Sequence, residues 1–245
     1  KPKHSGIYIA KIYRMVDVTT EDRGVTQEKE EIYNVRLNIN KRQVIVSSYA
    51  DKFIYFGQDT SDVTFGYDIE QALEGSDRGL VAGDELKESS SFVLDAGYKK
   101  YQTYGVCTIA ISGLYDVNDN YEIIYNPGEF HVKQLPISFS WDTSSLKTTY
   151  SGKYQRPSIG TYSTSVEGVD MTELLQNVNF NAIYDTDTTK LINAGLYDVT
   201  CTGFDNPNFI FDESISIDYK DTAFEIEKCK VNYSWYTDTE QKLIF

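Results

Sequence analysis

The sequence predicts an all-β protein made of tandem β-sandwich domains in an extended array. Three observations support this fold class: long stretches recur at a nearly constant spacing, short runs alternate apolar and polar residues, and Asn, Asp and Gly separate those runs. Alternation with a period of two indicates half-buried antiparallel strands, and residues that favour turns mark the strand ends.

The repeat is clearest in three stretches that align without a gap. They are residues 39–47 (INKRQVIVS), 132–140 (VKQLPISFS) and 226–234 (IEKCKVNYS), which lie 93 and 94 residues apart. A unit of this length can bury its own core, whereas the shorter repeats of solenoid proteins must stack to be stable. The period therefore indicates tandem domains.

Other landmarks follow the same period. Gly6, Gly105 and Gly195 each open an alternating segment, at spacings of 99 and 90 residues. Residues 120–121 (NY) recur as 208–209 (NF). We expect the chain to turn at each of these places.

These landmarks divide the chain into four parts. Residues 1–42 are predicted to be the C-terminal half of a repeat, 43–134 and 135–228 two complete repeats, and 229–245 the opening strand of a further one. We therefore expect the chain to be a piece of a longer protein. Almost no linker separates consecutive repeats, which limits bending and predicts an extended rod.

Helical signals are sparse. Residues 68–73 (DIEQAL) and 171–175 (MTELL) are predicted to form short connecting helices or bent loops in the middle of each repeat. Gly57 and Gly152 each end a strand where a positive φ is favourable for glycine, so a turn is predicted after both.

Composition limits the partners of the protein. The 245 residues carry a formal charge of −14 and a pI near 4.6. An acidic surface argues against nucleic acid, which needs clustered Lys and Arg, and against anionic membranes. No apolar run approaches the length that crosses a bilayer, so we expect no membrane insertion in this fragment.

Three cysteines, Cys107, Cys201 and Cys229, lack the CxxC spacing of zinc or redox sites. Cys107 and Cys201 lie in alternating strands and are interpreted as small buried apolar residues. A disulfide between Cys201 and Cys229, the pair closest in sequence, is the less favoured alternative.

Several motifs occur in a fixed order along the first repeat and recur in part in the second. They are 55–57 (YFG), 79–86 (GLVAGDEL), 104–109 (YGVCTI), 120–123 (NYEI) and 128–133 (GEFHVK), with 167–170 (EGVD) and 194–199 (AGLYDV) in the second repeat. Together they resemble the MBG-type immunoglobulin-like repeats of large bacterial surface proteins. The second repeat follows the pattern more loosely than the first, and Cys107 stands where a large residue is usual.

The resemblance implies an immunoglobulin-like β-sandwich at the bacterial cell surface, outside the cell. Such repeats serve as stalk, spacer or interaction module in adhesin arrays, and the resemblance supplies no catalytic residue. It also implies partners in the same surface protein, and host or cell-wall glycans or proteins as further candidates. We expect no enzymatic activity and no cofactor.

The loop formed by Asp116, Asn118, Asp119 and Asn120 is identical to the calcium-linker motif of cadherins. Dense carboxylate and amide oxygens suit a hard cation. The motif lies inside a repeat, however, and the loop 205–208 (DNPN) takes the equivalent place in the next one. A solvated polar loop is therefore the preferred interpretation, and no metal site is predicted, although Asp185, Asp187 and Asp212 add acidic residues to the second repeat.

Catalytic patterns are missing from the sequence. His4 and His131 lie in different repeats, and no Ser-His-Asp order or phosphate-binding glycine loop is found. Acid–base chemistry would have to depend on carboxylate pairs alone, which any acidic protein offers.

Aromatic residues are the better functional candidates. Trp141 and Trp235 hold equivalent positions, and each is expected to pack near the junction of two repeats. A sugar-stacking platform with Asp142 or Tyr236 is the alternative. The 20 tyrosines also favour contact with glycans, with proteins or with other copies of the chain.

The main interpretation is a structural or adhesive segment, with two alternatives. One is a carbohydrate-binding module, and the other is a self-assembling S-layer, sheath or fibre subunit. In the second alternative, residues 229–245 would complete the partial repeat at 1–42 of another copy by strand addition. These pieces total 59 residues, well short of a repeat, so truncation is preferred.

Overall fold

A computed structural model describes residues 3–21, 24–185 and 191–232. The described residues form two compact units. The first unit takes its residues from Lys1–Ile54, Asp59–Lys99 and Gly105–Val132. The second takes them from Tyr55–Gln58, Lys100–Tyr104 and Lys133–Phe245.

Strands dominate the described residues, which confirms the predicted all-β class. Short runs rich in Val, Ile, Tyr and Thr form them, as expected for half-buried strands. The first nine are β1 (Gly6–Thr20), β2 (Gly24–Ile39), β3 (Arg42–Ala50), β4 (Ile54–Tyr55), β5 (Phe65–Ile69), β6 (Lys87–Asp95), β7 (Gly105–Tyr115), β8 (Tyr121–Asn126) and β9 (Gly128–Lys133). The others are β10 (Leu135–Trp141), β11 (Lys147–Thr149), β12 (Ile159–Ser163), β13 (Ala182–Asp185), β14 (Gly195–Phe204), β15 (Phe209–Phe211) and β16 (Asp221–Glu227).

In the first unit, strands β3 to β9 form two sheets with the orders β5-β3-β8 and β4-β9-β7-β6. Val46 of β3 packs against Ile111 and Leu114 of β7, so a core lies between the two sheets. Strands β1 and β2 form a separate two-stranded sheet, which we call the ribbon.

The second unit repeats this arrangement. Its sheets have the orders β12-β10-β15 and β11-β16-β14-β13. Leu135 and Ile137 of β10 pack with Phe209 of β15 and Leu174 in one core cluster, which also includes Phe56. Phe139 packs with Cys201 in a second cluster.

One pairing register occurs three times. In β1–β2, β7–β9 and β14–β16, the glycine that opens the first strand pairs antiparallel with the first residue of one of the three aligned stretches. The three pairs are Gly6 with Ile39, Gly105 with Val132, and Gly195 with Ile226. The sequence landmarks thus correspond to the same place in three strand pairs.

A parallel register also occurs twice. Arg42 of β3 pairs with Tyr121 of β8, and Leu135 of β10 pairs with Phe209 of β15. These residues come from the aligned stretches and from the repeated Asn-aromatic motif. The predicted boundaries of the repeats nevertheless stay a prediction, since the compact units have other bounds, and so does the immunoglobulin-like topology.

The two helical signals have different outcomes. Met171–Asn177 forms a helix, α1, whose N-cap Asp170 accepts hydrogen bonds from the backbone N–H groups of Thr172 and Glu173. At 68–73 the helix alternative is wrong: Asp68 and Ile69 end strand β5, which pairs with β3, and residues 70–73 continue outside any helix or named strand, as in the loop alternative. Both predicted turn glycines have a positive φ, 91° at Gly57 and 70° at Gly152.

Candidate functional site

The candidate functional site lies at the opening glycine of each repeated strand pair, β1–β2, β7–β9 and β14–β16. In the first unit, the backbone N–H of Ser5, directly before Gly6, donates to Oδ1 of Asn120 at 2.9 Å. The Ser5 hydroxyl donates to the carbonyl of Asp119 at 2.7 Å. The loop between β7 and β8 therefore binds the residue directly before β1.

The second unit contains the same contact. The backbone N–H of Tyr104, directly before Gly105, donates to Oδ1 of Asn208 at 2.8 Å. Beside it, the side-chain amide of Gln134 donates to the carbonyl of Pro207 at 2.7 Å. We call the two asparagines, Asn120 and Asn208, the junction asparagines.

Local hydrogen bonds orient both junction asparagines. The carboxylate of Asp116 accepts from the backbone N–H groups of Asn118 and Asn120, which closes a turn typical of Asx residues. In the other loop, Oδ1 of Asn206 accepts from the backbone and side-chain N–H groups of Asn208. Asn208 is buried, so an unpaired amide there would be costly.

At the third strand pair, β14–β16, the position directly before the opening glycine lines a groove. It has a volume of about 510 Å³ and is lined by Ala194, Gly195 and Leu196 from one strand end and by residues 225–228 from the other. Ala194 holds the position of Ser5 and Tyr104.

The same bonds bear on the calcium motif. The Asp116 oxygens already accept two backbone N–H groups, and Oδ1 of Asp119 accepts from the Lys41 ammonium. No group of three or more His, Cys, Asp or Glu side chains in the described ranges is placed to hold a metal ion. The hydrogen bonds of Asp116 and Asp119 favour the polar-loop interpretation.

Acidic residues of the second repeat have structural partners. Asp205 accepts from the backbone and side-chain N–H groups of Asn181, and the side-chain bond is the main reason that the pKa of Asp205 is lowered. Asp212 is buried and accepts from the backbone N–H and hydroxyl of Ser214. Asp185 ends β13, and Asp187 lies outside the described residues.

Trp141 packs in the second unit. Its indole N–H donates to the carbonyl of Tyr219 at 3.0 Å, and its ring meets Phe139 edge-on at 5.4 Å between ring centres. Asp142 caps a 3-10 helix, Thr143–Ser145. Trp141 is therefore a packing residue, while Trp235 and Tyr236 lie outside the described residues.

Tyrosines divide between the core and the surface. Burial is the first cause that raises the pKa of Tyr162 to about 12, and burial also raises the pKa of Tyr184. Others are exposed to a fraction of 40% or more of their surface: Tyr13, Tyr33, Tyr49, Tyr104, Tyr115, Tyr150 and Tyr154.

The remaining candidates are not brought together into a site. Cys107 and Cys201 are buried, as predicted, and Cys229 is exposed; none of the three forms a disulfide, so the alternative of a Cys201–Cys229 bond is wrong. His4 lies beside Asn120, with 3.3 Å between its Nδ1 and the Asn120 side-chain nitrogen. His131 lies beside a carboxylate on the exposed side of β9.

Sequence analysis missed the segments Tyr55–Gln58 and Lys100–Tyr104, which belong to the first predicted repeat but lie in the second unit. Phe56 is only 1% exposed there, and Lys100 forms an ion pair with Glu173 at 2.9 Å. The burial of Phe56 could have been predicted, because it is a large apolar residue next to a strand end. Its partners were not predictable from the local pattern.

Comparison with known proteins gives no match: no protein-family model, curated protein or solved structure is significantly similar to this chain. Within residues 3–21, 24–185 and 191–232, no helix is both long and apolar enough to span a bilayer.

Proposed function

We propose that this chain is a structural segment of a bacterial cell-surface protein, outside the cell, in which immunoglobulin-like repeats of the MBG type act as stalk, spacer or interaction module. The resemblance of the sequence motifs to such repeats supports the class. The all-β fold is consistent with it. The partners are the neighbouring domains of the same surface protein.

The observation that carries the proposal is the composition of the second core. Phe56, from the end of β4, packs edge-on against Phe209 with 5.4 Å between ring centres. Tyr101 and Lys100 both bind Glu173 of α1, each at 2.9 Å. Residues of the preceding predicted repeat thus complete the core of the second unit, as expected for repeats that follow one another almost without a linker.

The junction asparagines add a polar contact to this apolar one. A buried amide that accepts a backbone N–H fixes direction as well as distance, because its partner must be presented at one angle. The same contact occurs at Asn120 and at Asn208, which supports a common way of joining consecutive repeats.

The alternatives have unequal support. The carbohydrate-binding alternative has less support, because the indole of Trp141 is engaged with Tyr219 and Phe139, which leaves the exposed tyrosines as the candidates among the described residues. Self-assembly would use exposed apolar residues, such as Ile12 and Leu37 of the ribbon, each of which is 46% exposed.

Small-angle X-ray scattering from dilute solution tests the proposal. A spacer requires an extended particle, whereas a compact one would contradict it. A compact 245-residue protein has a radius of gyration of about 18 Å.

A further inference from the structure

In the second unit, a groove opens between the end of β14 and β15, and we call it the β14–β15 groove. Its volume is about 530 Å³, and it is lined by Pro136, residues 202–204, residues 209–211 and Glu213. The two strands belong to different sheets, so the groove reaches the edge of the core between them. Three phenylalanine rings and Ile210, which is 42% exposed, give it apolar walls.

The first unit fills the equivalent place with a tyrosine of its own. The hydroxyl of Tyr125, at the end of β8, accepts from the backbone N–H of Leu114 at 2.8 Å and donates to the carbonyl of the same residue at 3.3 Å. The Tyr125 ring packs against the core cluster of Val46, Ile111 and Leu114. A phenol thus connects β8 to the end of β7 and bonds both backbone groups of Leu114.

The repeated register shows which residues correspond in the second unit. Counted from the glycines that open β7 and β14, residues 112–114 (SGL) align with 202–204 (TGF). Strand β8 pairs with β3 in the register in which β15 pairs with β10. Continued past the end of β15, this register makes Glu213 the counterpart of Tyr125. Glu213 is exposed at the groove, so the phenol of the first unit has no counterpart at this position.

The backbone groups that bind the phenol in the first unit have counterparts at the groove. Residues of an antiparallel pair alternate between bonding across the pair and pointing their N–H and C=O groups away from it. Asp205 donates to the carbonyl of Asn181, so Phe204, which pairs with the next residue of that strand, points both groups away from β13. On the other side, β16 pairs with β14 only as far as Thr200. Phe204 therefore offers a donor and an acceptor, as Leu114 does.

Space and charge define what the groove can take. A Cβ added to Gly203 would meet nothing within 4 Å, so there is open space directly beside Phe204. Glu213 brings a carboxylate to the groove, and the whole chain has a formal charge of −14, so a positively charged partner is favoured. A tyrosine ring fills such a site at low entropy cost, because it has only two rotatable side-chain bonds before the hydroxyl.

We propose that the β14–β15 groove binds a tyrosine side chain of a partner protein, next to a positive charge of that partner. The phenol takes the place that Tyr125 fills in the first unit. Its hydroxyl accepts from the N–H of Phe204 and donates to the Phe204 carbonyl, and the positive charge faces Glu213. This inference depends on the correspondence between the two units and not on the cell-surface assignment.

Titration of the full chain with L-tyrosinamide, followed by two-dimensional amide NMR, tests the proposal. The probe has a phenol and, at about pH 6, a positive α-amino group. Saturable shifts are expected at the amides of residues 202–204 and 209–213. L-Phenylalaninamide is the matched probe without the hydroxyl. It should bind about 3- to 10-fold more weakly, because the donor and acceptor of Phe204 then stay unpaired.

Variants show whether the shifts report binding in the groove. Gly203→Val fills the open space and is expected to abolish the saturable shifts. Ala223→Val adds bulk at an exposed position of β16 outside the groove, so it should bind like the wild type. Glu213→Gln should weaken binding of tyrosinamide about 2- to 5-fold and leave binding of the uncharged N-acetyltyrosinamide unchanged. The remaining amide signals show that each variant is folded.

Three outcomes would overturn the proposal. Absence of saturable shifts at these amides shows that the groove takes no phenol. Equal affinity for tyrosinamide and phenylalaninamide, or unchanged binding by Gly203→Val, shows that the groups of Phe204 are not the binding groups. Shifts of the same amides with protein concentration alone would assign the groove to a second copy of this chain and not to a different partner.

Discussion

Gly128 of β9 lies against Ser48 of β3, which belongs to the other sheet of the first unit. The hydroxyl of Ser48 accepts from the backbone N–H of Gly128 at 2.8 Å and donates to the carbonyl of Ile109 at 2.9 Å. A Cβ added to Gly128 would lie 1.9 Å from the Ser48 carbonyl oxygen. This contact is with backbone, so it cannot be relieved by rotating a side chain.

Gly128→Ala should therefore destabilise the first unit. Forced overpacking of this kind costs about 1–3 kcal/mol, and thermal or urea unfolding measures it. Gly203→Ala is the control, since a Cβ there meets nothing within 4 Å. Equal stability of the two variants would contradict the close approach of β9 to β3.

Tyr162 makes the second unit sensitive to high pH. Its ring packs on Phe139 and Phe180, and burial raises its pKa to about 12 from the ordinary value of 10.0. The unfolded chain loses this proton near pH 10 and the folded chain does so only near pH 12. Its contribution to stability is therefore complete below pH 10 and is lost as the pH rises to about 12.

The Tyr162→Phe variant removes this proton. Below pH 10 its urea midpoint should differ from that of the wild-type chain by a constant amount. Between pH 10 and 12 the variant should gain stability relative to the wild type. A constant difference up to pH 12 would show that the Tyr162 ring is solvated in the folded state.

At the scale of elements, the landmarks predicted from the sequence mark strand ends. The glycine series and the aligned stretches pair with each other because both mark the ends of neighbouring strands. Helix α1 was predictable because Met171, Leu174 and Leu175 are spaced for one helix face and Asp170 caps its first turn. Residues 68–73 have a similar local pattern, yet pairing with β3 is stronger than their helical tendency.

Other contacts cannot be predicted from a local sequence pattern. Nothing near Asn208 in the sequence indicates that its amide accepts from Tyr104, 104 residues away. The Asp116 motif was open to two interpretations, and the positions of its backbone N–H partners and of the Lys41 ammonium favour one of them.

Asn208→Ala tests the junction contact. Loss of the acceptor leaves the partly buried Tyr104 N–H without its bond, which costs about 1–2 kcal/mol. Amide hydrogen exchange at Tyr104 should become roughly 5- to 30-fold faster. Asn118→Ala, at an exposed side chain, is the control, and unchanged exchange at Tyr104 in the Asn208→Ala variant would contradict the role of this asparagine.

At the scale of the whole molecule, we propose that consecutive repeats follow one another without a flexible linker and act as a spacer. Small-angle X-ray scattering, extrapolated to zero concentration, is the measurement that decides this. We expect rod-like scattering and a radius of gyration well above the roughly 18 Å of a compact chain of this length. A radius near 18 Å, or scattering typical of domains on a flexible tether, would contradict it.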